Sequence, residues 1–191
     1  MKSSPRFALF TSWLLNTIMW CVEIVASFFS GSTALLADSL DFFSDGVNYF
    51  SSLFALKKGK KTHDTLGKIK GYYMLVMGIV ILIWSIFKYF YGWIPHGETM
   101  SLIGFFALAV NLLSTFLLIK FQNRSLDLQA VWLCTRNDAL GNILIIIAGY
   151  ATLYFNSAVP DIAVSLFMSV LIIKSGLLII QKWVDHHGHQ H

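Results

Sequence analysis

Charge is what this sequence has least of. Only 13% of its 191 residues are Asp, Glu, Lys or Arg, where a soluble domain carries about 25%. With 56% hydrophobic residues, nearly the whole chain belongs in lipid. Cysteine is almost as scarce. Cys21 and Cys134 both lie inside apolar stretches, which argues against a disulfide framework and against a C-x-x-C zinc module. No small-residue cleavage site follows the basic start at Lys2 and Arg6, so the first apolar segment reads as retained, not as a signal peptide. There is no H-E-x-x-H and no Ser/His pair, and the expectation is that the protein is not an enzyme. The formal net charge of +4 comes from dispersed basic residues, which gives no nucleic-acid surface.

What is abundant is long apolar sequence. Measured against the ~20 residues that span a bilayer, six candidates appear: about 7–29, 33–56, 67–91, 100–121, 128–155 and 160–183. The runs are continuous and do not alternate, so helices are expected and a barrel is not. Lys57, Lys58, Lys60 and Lys61, then Lys68 and Lys70, follow the second span, while Lys120 and Arg124 follow the fourth. Lys174 and Lys182 approach the C-terminus. The opposite connections, 31–33, 94–98 and 156–159, carry neither Lys nor Arg. This asymmetry predicts both termini in the cytoplasm. The stretch from Lys57 to Thr65 reads as a solvated turn touching lipid headgroups.

The second span contradicts its surroundings. Asp38, Asp41 and Asp45 fall at i, i+3 and i+7, so one helical face carries three carboxylates. Each costs at least ~2.5 kcal/mol at mid-bilayer, which demands water, a partner or an ion. The fifth span holds Cys134 and Asp138 at i, i+4, the spacing that Asp41 and Asp45 repeat. Two helices presenting such pairs offer four donors, Asp41, Asp45, Cys134 and Asp138. Four donors suit tetrahedral zinc, with sulfur near ~2.3 Å and carboxylate oxygen near ~2.0–2.2 Å. Carboxylates alone suit manganese, iron or magnesium, and a thiolate shifts preference toward zinc or cadmium. Such ligands bind only when deprotonated, so metal loading displaces protons.

The run Ser30-Gly31-Ser32-Thr33-Ala34-Leu35-Leu36-Ala37-Asp38, leading into Asp41-x-x-x-Asp45, resembles the second helix of the cation diffusion facilitator family. Cys134-x-x-x-Asp138-Ala139-Leu140-Gly141 resembles its second motif. Thr65-Leu66-Gly67, Asn16, Glu23, Asn111 and Pro160-Asp161 are similar as well, so the resemblance covers about residues 10–182. It implies a six-helix membrane transporter, usually a homodimer, that exports divalent metal in exchange for protons. Carried over by position, its site is again Asp41, Asp45, Cys134 and Asp138. The expected cargo is Zn2+, with Cd2+, Fe2+, Mn2+ and Co2+ as alternatives, and no cofactor is expected. The expected location is the bacterial inner membrane.

This chain departs from the family's pattern in three ways. It has Asp41 and Cys134 where many members carry His, and the 122–126 loop has no His-rich insertion. Because the sequence stops eight residues after Trp183, the family's cytoplasmic C-terminal domain is expected to be absent. That leaves a transmembrane domain at 1–184 and a short, disordered His-rich tail at 185–191. Its histidines are candidates for collecting metal. Asp38 reads as a hydrogen-bond acceptor beside the site or a step on a proton path. Arg136 reads as a charge partner for Glu23 or an acid of the second span, and Asn137 as a donor to the site. Asn16 and Glu23 share one face of the first span, suited to a polar path or to interhelical bonding. Trp84, Tyr89, Phe90, Tyr91 and Trp93 read as an interfacial belt. A metal-sensing membrane subunit and a metal-dependent intramembrane enzyme remain as rival readings.

Overall fold

In lipid every backbone N–H and C=O must be satisfied within its own segment, so each apolar run has only the helix available. The structure, a computed structural model, describes residues 4–55, 60–121, 123 and 126–188, with side chains except at 54–55, 60–68, 70, 126–131, 133–134, 136–137 and 182–188. Among the described residues six helices form: α1 (Pro5–Ser30), α2 (Thr33–Ala55), α3 (Lys60–Tyr91), α4 (Gly97–Ile119), α5 (Leu126–Phe155) and α6 (Val159–Gly188). No strand occurs among the described residues. Pro5 and Pro160 open α1 and α6, where a missing N–H costs nothing, and Pro95 lies in the α3–α4 connection.

Two boundaries differ from the expectation. α3 starts at Lys60, so most of the expected Lys57–Thr65 turn is helical. Between Lys60 and Leu66 there is no Gly or Pro to stop a helix, and one that leaves the bilayer need not end there. For the same reason α6 runs on to Gly188. Residues 185–188 of the expected disordered tail are therefore helical, and 189–191 lie outside the described residues.

Five of the helices are long and apolar enough to cross a membrane, and α2 is the exception. At 23 residues it measures about 35 Å, ample length, but it carries the three aspartates. Position resolves the conflict. α2 packs against α1, α3, α5 and α6, and Ser39, Ser44, Asp45, Tyr49 and Ser52 are all buried along it. Its neighbours stand between its polar groups and the lipid.

The closest pairings are α3 with α6, α4 with α5, and α1 with α2, with α1 also on α4. Small residues set the first two, as is usual where no hydrophobic force draws helices together. A Cβ placed on Gly176 of α6 would lie 2.9 Å from Gly71 O and from Leu75 N of α3. One placed on Gly149 of α5 would lie 2.7 Å from Gly97 O and 2.8 Å from Ser101 N of α4. The result is a four-helix group, α1, α2, α4 and α5, and a separate α3–α6 pair. They meet along a seam where α2 touches α3 and α6 and α5 touches α6.

Candidate metal centre

The seam holds the acids. Asp41, Asp45 and Asn48 of α2 and Asp138 of α5 line a cavity of about 270 Å3, which Met74, Ser175, Leu178 and Ile179 line from the α3–α6 side. A second cavity of about 640 Å3, between α5 and α6, is lined again by Asp41, Asp138 and Ser175. Asp41 and Asp138 thus stand where the two spaces meet. Three of the four expected donors share one cavity, and the side chain of the fourth, Cys134, lies outside the described residues. Among the described residues no three His, Cys, Asp or Glu side chains close on a common point near enough to hold an ion. The acids face a shared open space instead.

Local structure fixes how Asp45 is presented. Tyr49, one turn on, donates Oη to Asp45 Oδ2 at 3.3 Å. Thr135 Oγ1 of α5 lies 3.4 Å from the same oxygen. Tyr49 Oη and Thr135 Oγ1 share a short hydrogen bond of 2.5 Å. All three side chains are buried, so α2 and α5 are tied together beside the cavity. Neither Tyr49 nor Thr135 stood out in the sequence. The signal was there in the i, i+4 spacing of Asp45 and Tyr49 and in the position of Thr135 next to Cys134. Arg136 and Asn137, the neighbours expected to serve the acids, have side chains outside the described residues.

Asp38 does not line either cavity. It is buried one turn away and its carboxyl faces that of Glu23 on α1, itself fully buried. Among the described residues no third side chain supplies a donor to Asp38 Oδ2 or to either Glu23 oxygen. Asn16 donates Nδ2 to Ser12 O at 2.9 Å and to Ser114 Oγ of α4 at 3.4 Å, the interhelical role. The belt is present as expected: Trp84, Tyr89, Phe90, Tyr91 and Trp93 are exposed, and the Trp84 and Trp93 rings lie 5.7 Å apart.

A second polar focus lies where the α1–α2, α3–α4 and α5–α6 connections meet. Asp161, in the first turn of α6, caps α2 from outside the helix. Its Oδ2 accepts from Thr33 N and its Oδ1 from Ala34 N, both at 3.0 Å. Ser32 Oγ donates to Oδ1 at 2.6 Å and accepts from Leu35 N at 3.1 Å. Ser32 N in turn donates to Ser30 Oγ at 3.2 Å. The first four N–H groups at this helix start are therefore all satisfied. Lys88 Nζ, near the end of α3, meets Asp161 Oδ2 at 2.7 Å and donates to Gly31 O at 2.5 Å. Both side chains are 0% exposed. Lys88 is not among the residues expected from the sequence to matter. A lysine in an apolar span, on the side predicted to lack positive charge, was the available signal.

With this geometry in place, comparison with known proteins is informative. Residues 9–185 match the cation efflux transmembrane domain. The chain is 25% identical over 189 residues to the cadmium, cobalt and zinc/H(+)-K(+) antiporter of Bacillus velezensis, which covers 91% of this chain and 60% of the relative. It is 24% identical over 196 residues to the zinc transporter ZitB of Yersinia pestis, covering 95% and 62%. Against ZitB of Escherichia coli it is 26% identical over 177 residues, covering 86% and 56%. The chain thus spans about 60% of the length of these relatives. A match over almost its whole length, on an all-helical membrane fold with acids gathered at an internal seam, places the chain in the cation efflux family.

Proposed function

We propose that this protein exports zinc from the cytoplasm in exchange for protons, with cadmium as the next best cargo, and that Asp41, Asp45, Cys134 and Asp138 hold the ion in transit. The observation that carries the reading is the shared cavity. Asp41 and Asp45 from one helix and Asp138 from another line one space at the seam between two helix groups. Carboxylates in that setting need a counter-cation, because lipid offers them no hydration. Cys134 is one turn from Asp138 on α5 and supplies the soft donor that favours zinc or cadmium over manganese or magnesium. The names of the relatives, which include zinc, cadmium, cobalt and H(+), agree with that donor set.

Exchange follows from the chemistry of the ligands. Carboxylate and thiolate bind metal only without their protons, so ion and protons compete for one set of atoms. A seam that opens first to one side and then to the other turns this competition into antiport. As zinc loads, the cavity is expected to contract until the four donors reach it together. Cytoplasmic termini, residence in the bacterial inner membrane and pairing into a homodimer belong to the same reading.

The test is zinc flux into proteoliposomes under an imposed pH gradient. Wild-type protein should take up zinc with counterflow of protons, and Asp45→Ala or Asp138→Ala should abolish uptake while the variant remains monodisperse. Undiminished uptake by both variants would remove the site assignment.

A further inference from the structure

We propose that Asp161 and Lys88 form a releasable seal that closes the seam at the connection end and must part when the cavity opens to that end. The inference deepens the transport reading and rests on it.

Asp161 belongs to α6 and Lys88 to α3, the two members of the separate pair. Their partners, Gly31 O, Ser32 Oγ, Thr33 N and Ala34 N, all belong to the α1–α2 hairpin of the four-helix group. Every one of these bonds therefore crosses the seam. Within the pair, Ser85 of α3 and Ser165 of α6 share a 2.8 Å hydrogen bond one turn farther in, so α3 and α6 stay joined if the seam opens. The candidate metal cavity lies along the same seam, with Asp41 about 12 Å along α2 from Thr33. Along α2 between the two lie the buried apolar side chains of Leu35, Ala37 and Leu40.

Chemistry separates this clamp from a permanent staple. Its groups are two charged side chains, a hydroxyl, a carbonyl and helix-end N–H groups, all of which water solvates well. When the seam parts, each exchanges a protein partner for water, so the open form is not penalised by stranded polar atoms. A glycine-mediated contact such as Gly71 on Gly176 gains no such compensation and holds the α3–α6 pair together throughout. Lys88 and Asp161 act through α2, setting which end of the cavity is closed, and touch no ion themselves.

The experiment reads water access to the cavity from each end. Ser175, which lines both cavities, is replaced by Cys, and labelling by a membrane-impermeant thiol reagent is followed in sealed vesicles. A protease site at the C-terminus fixes the orientation of each molecule, and labelling of Cys21 and Cys134 in the parent protein is subtracted. Lys88→Met/Asp161→Asn is chosen so that neither charge is left alone. Loss of a charge-assisted cross-seam bond should raise labelling from the connection end about tenfold or more. From the other end the rate should stay level or fall. An unchanged rate from the connection end, or an equal rise from both ends as expected of loosened packing, would overturn the proposal. If the double variant does not assemble, Ser32→Ala carries the test. It removes one bond to Asp161 and should raise labelling from the connection end alone, and no rise there would overturn the proposal. A one-sided rise in protein that moves no zinc supports the seal and counts against the transport reading.

Discussion

Replacing Lys88 by Met keeps the length of the side chain and removes its charge. Asp161 would then be buried with its donors Ser32 Oγ, Thr33 N and Ala34 N but no cation, since Lys88 is its only ion-pair partner among the described residues. Breaking a buried pair from one side costs about 3–5 kcal/mol, because the remaining charge is uncompensated. For a chain of this size each kcal/mol moves the melting temperature by about 2–4 °C. The single variant should therefore melt about 6–20 °C below wild type. Adding Asp161→Asn removes the stranded charge. Asparagine still accepts at its Oδ1 but has no second acceptor for the other α2 N–H, a capping loss of about 0.5–2 kcal/mol. The double variant should accordingly be more stable than Lys88→Met alone. The assay is thermal unfolding in lipid nanodiscs, followed by intrinsic tryptophan fluorescence. A double variant no better than the single, or a single variant within 2 °C or so of wild type, would refute the claim that burial makes the two charges interdependent.

Other outcomes follow from the same structure. Gly149→Ala puts a methyl 2.7 Å from Gly97 O, and the overpacking cost of about 1–3 kcal/mol exceeds the roughly 1 kcal/mol gained in helix propensity. Gly141→Ala on the same helix meets Met168 Cε at an ordinary 3.7 Å and should be neutral or stabilising, so equal melting temperatures would contradict the packing account. Tyr49→Phe removes a donor from Asp45 and should weaken zinc binding about tenfold or more, measured by competition with a fluorescent chelator. Its failure to do so would reduce Tyr49 to a filler of space. Zinc affinity should also fall by at least about tenfold from pH 7 to pH 6. Protons bind the free ligands and not the loaded site, so each proton displaced contributes one factor of ten per pH unit. Affinity independent of pH would argue against carboxylate and thiolate ligation.

Much of the architecture was legible because lipid leaves few choices. Length and apolarity identified six segments, and the helices found lie within a few residues of them except where α3 and α6 extend into water. There the apolar signal ends while the backbone continues to hold helix, since solvent is no less tolerant of a helix than of a turn. The acids of α2 were legible for the opposite reason, as residues that do not belong in an apolar span. Their spacing predicted a common face, and Asp41 and Asp45 do line one cavity. Asp38 shares that face by sequence but lies higher on the helix, where α1 brings Glu23 against it.

By itself the sequence determined the number of helices, their lengths and the pairing of Asp41 with Asp45, because each depends on hydrophobicity or helical period within one segment. The tertiary structure alone decided that α2 lies among four neighbours, that Asp138 of α5 lines the same cavity as the α2 acids, and that Asp161 finishes the start of a helix 127 residues away from it at Ala34. Contacts of that kind depend on which helix lies beside which, and small residues such as Gly71, Gly149 and Gly176 settle that by letting backbones approach. No pattern within a single segment encodes it.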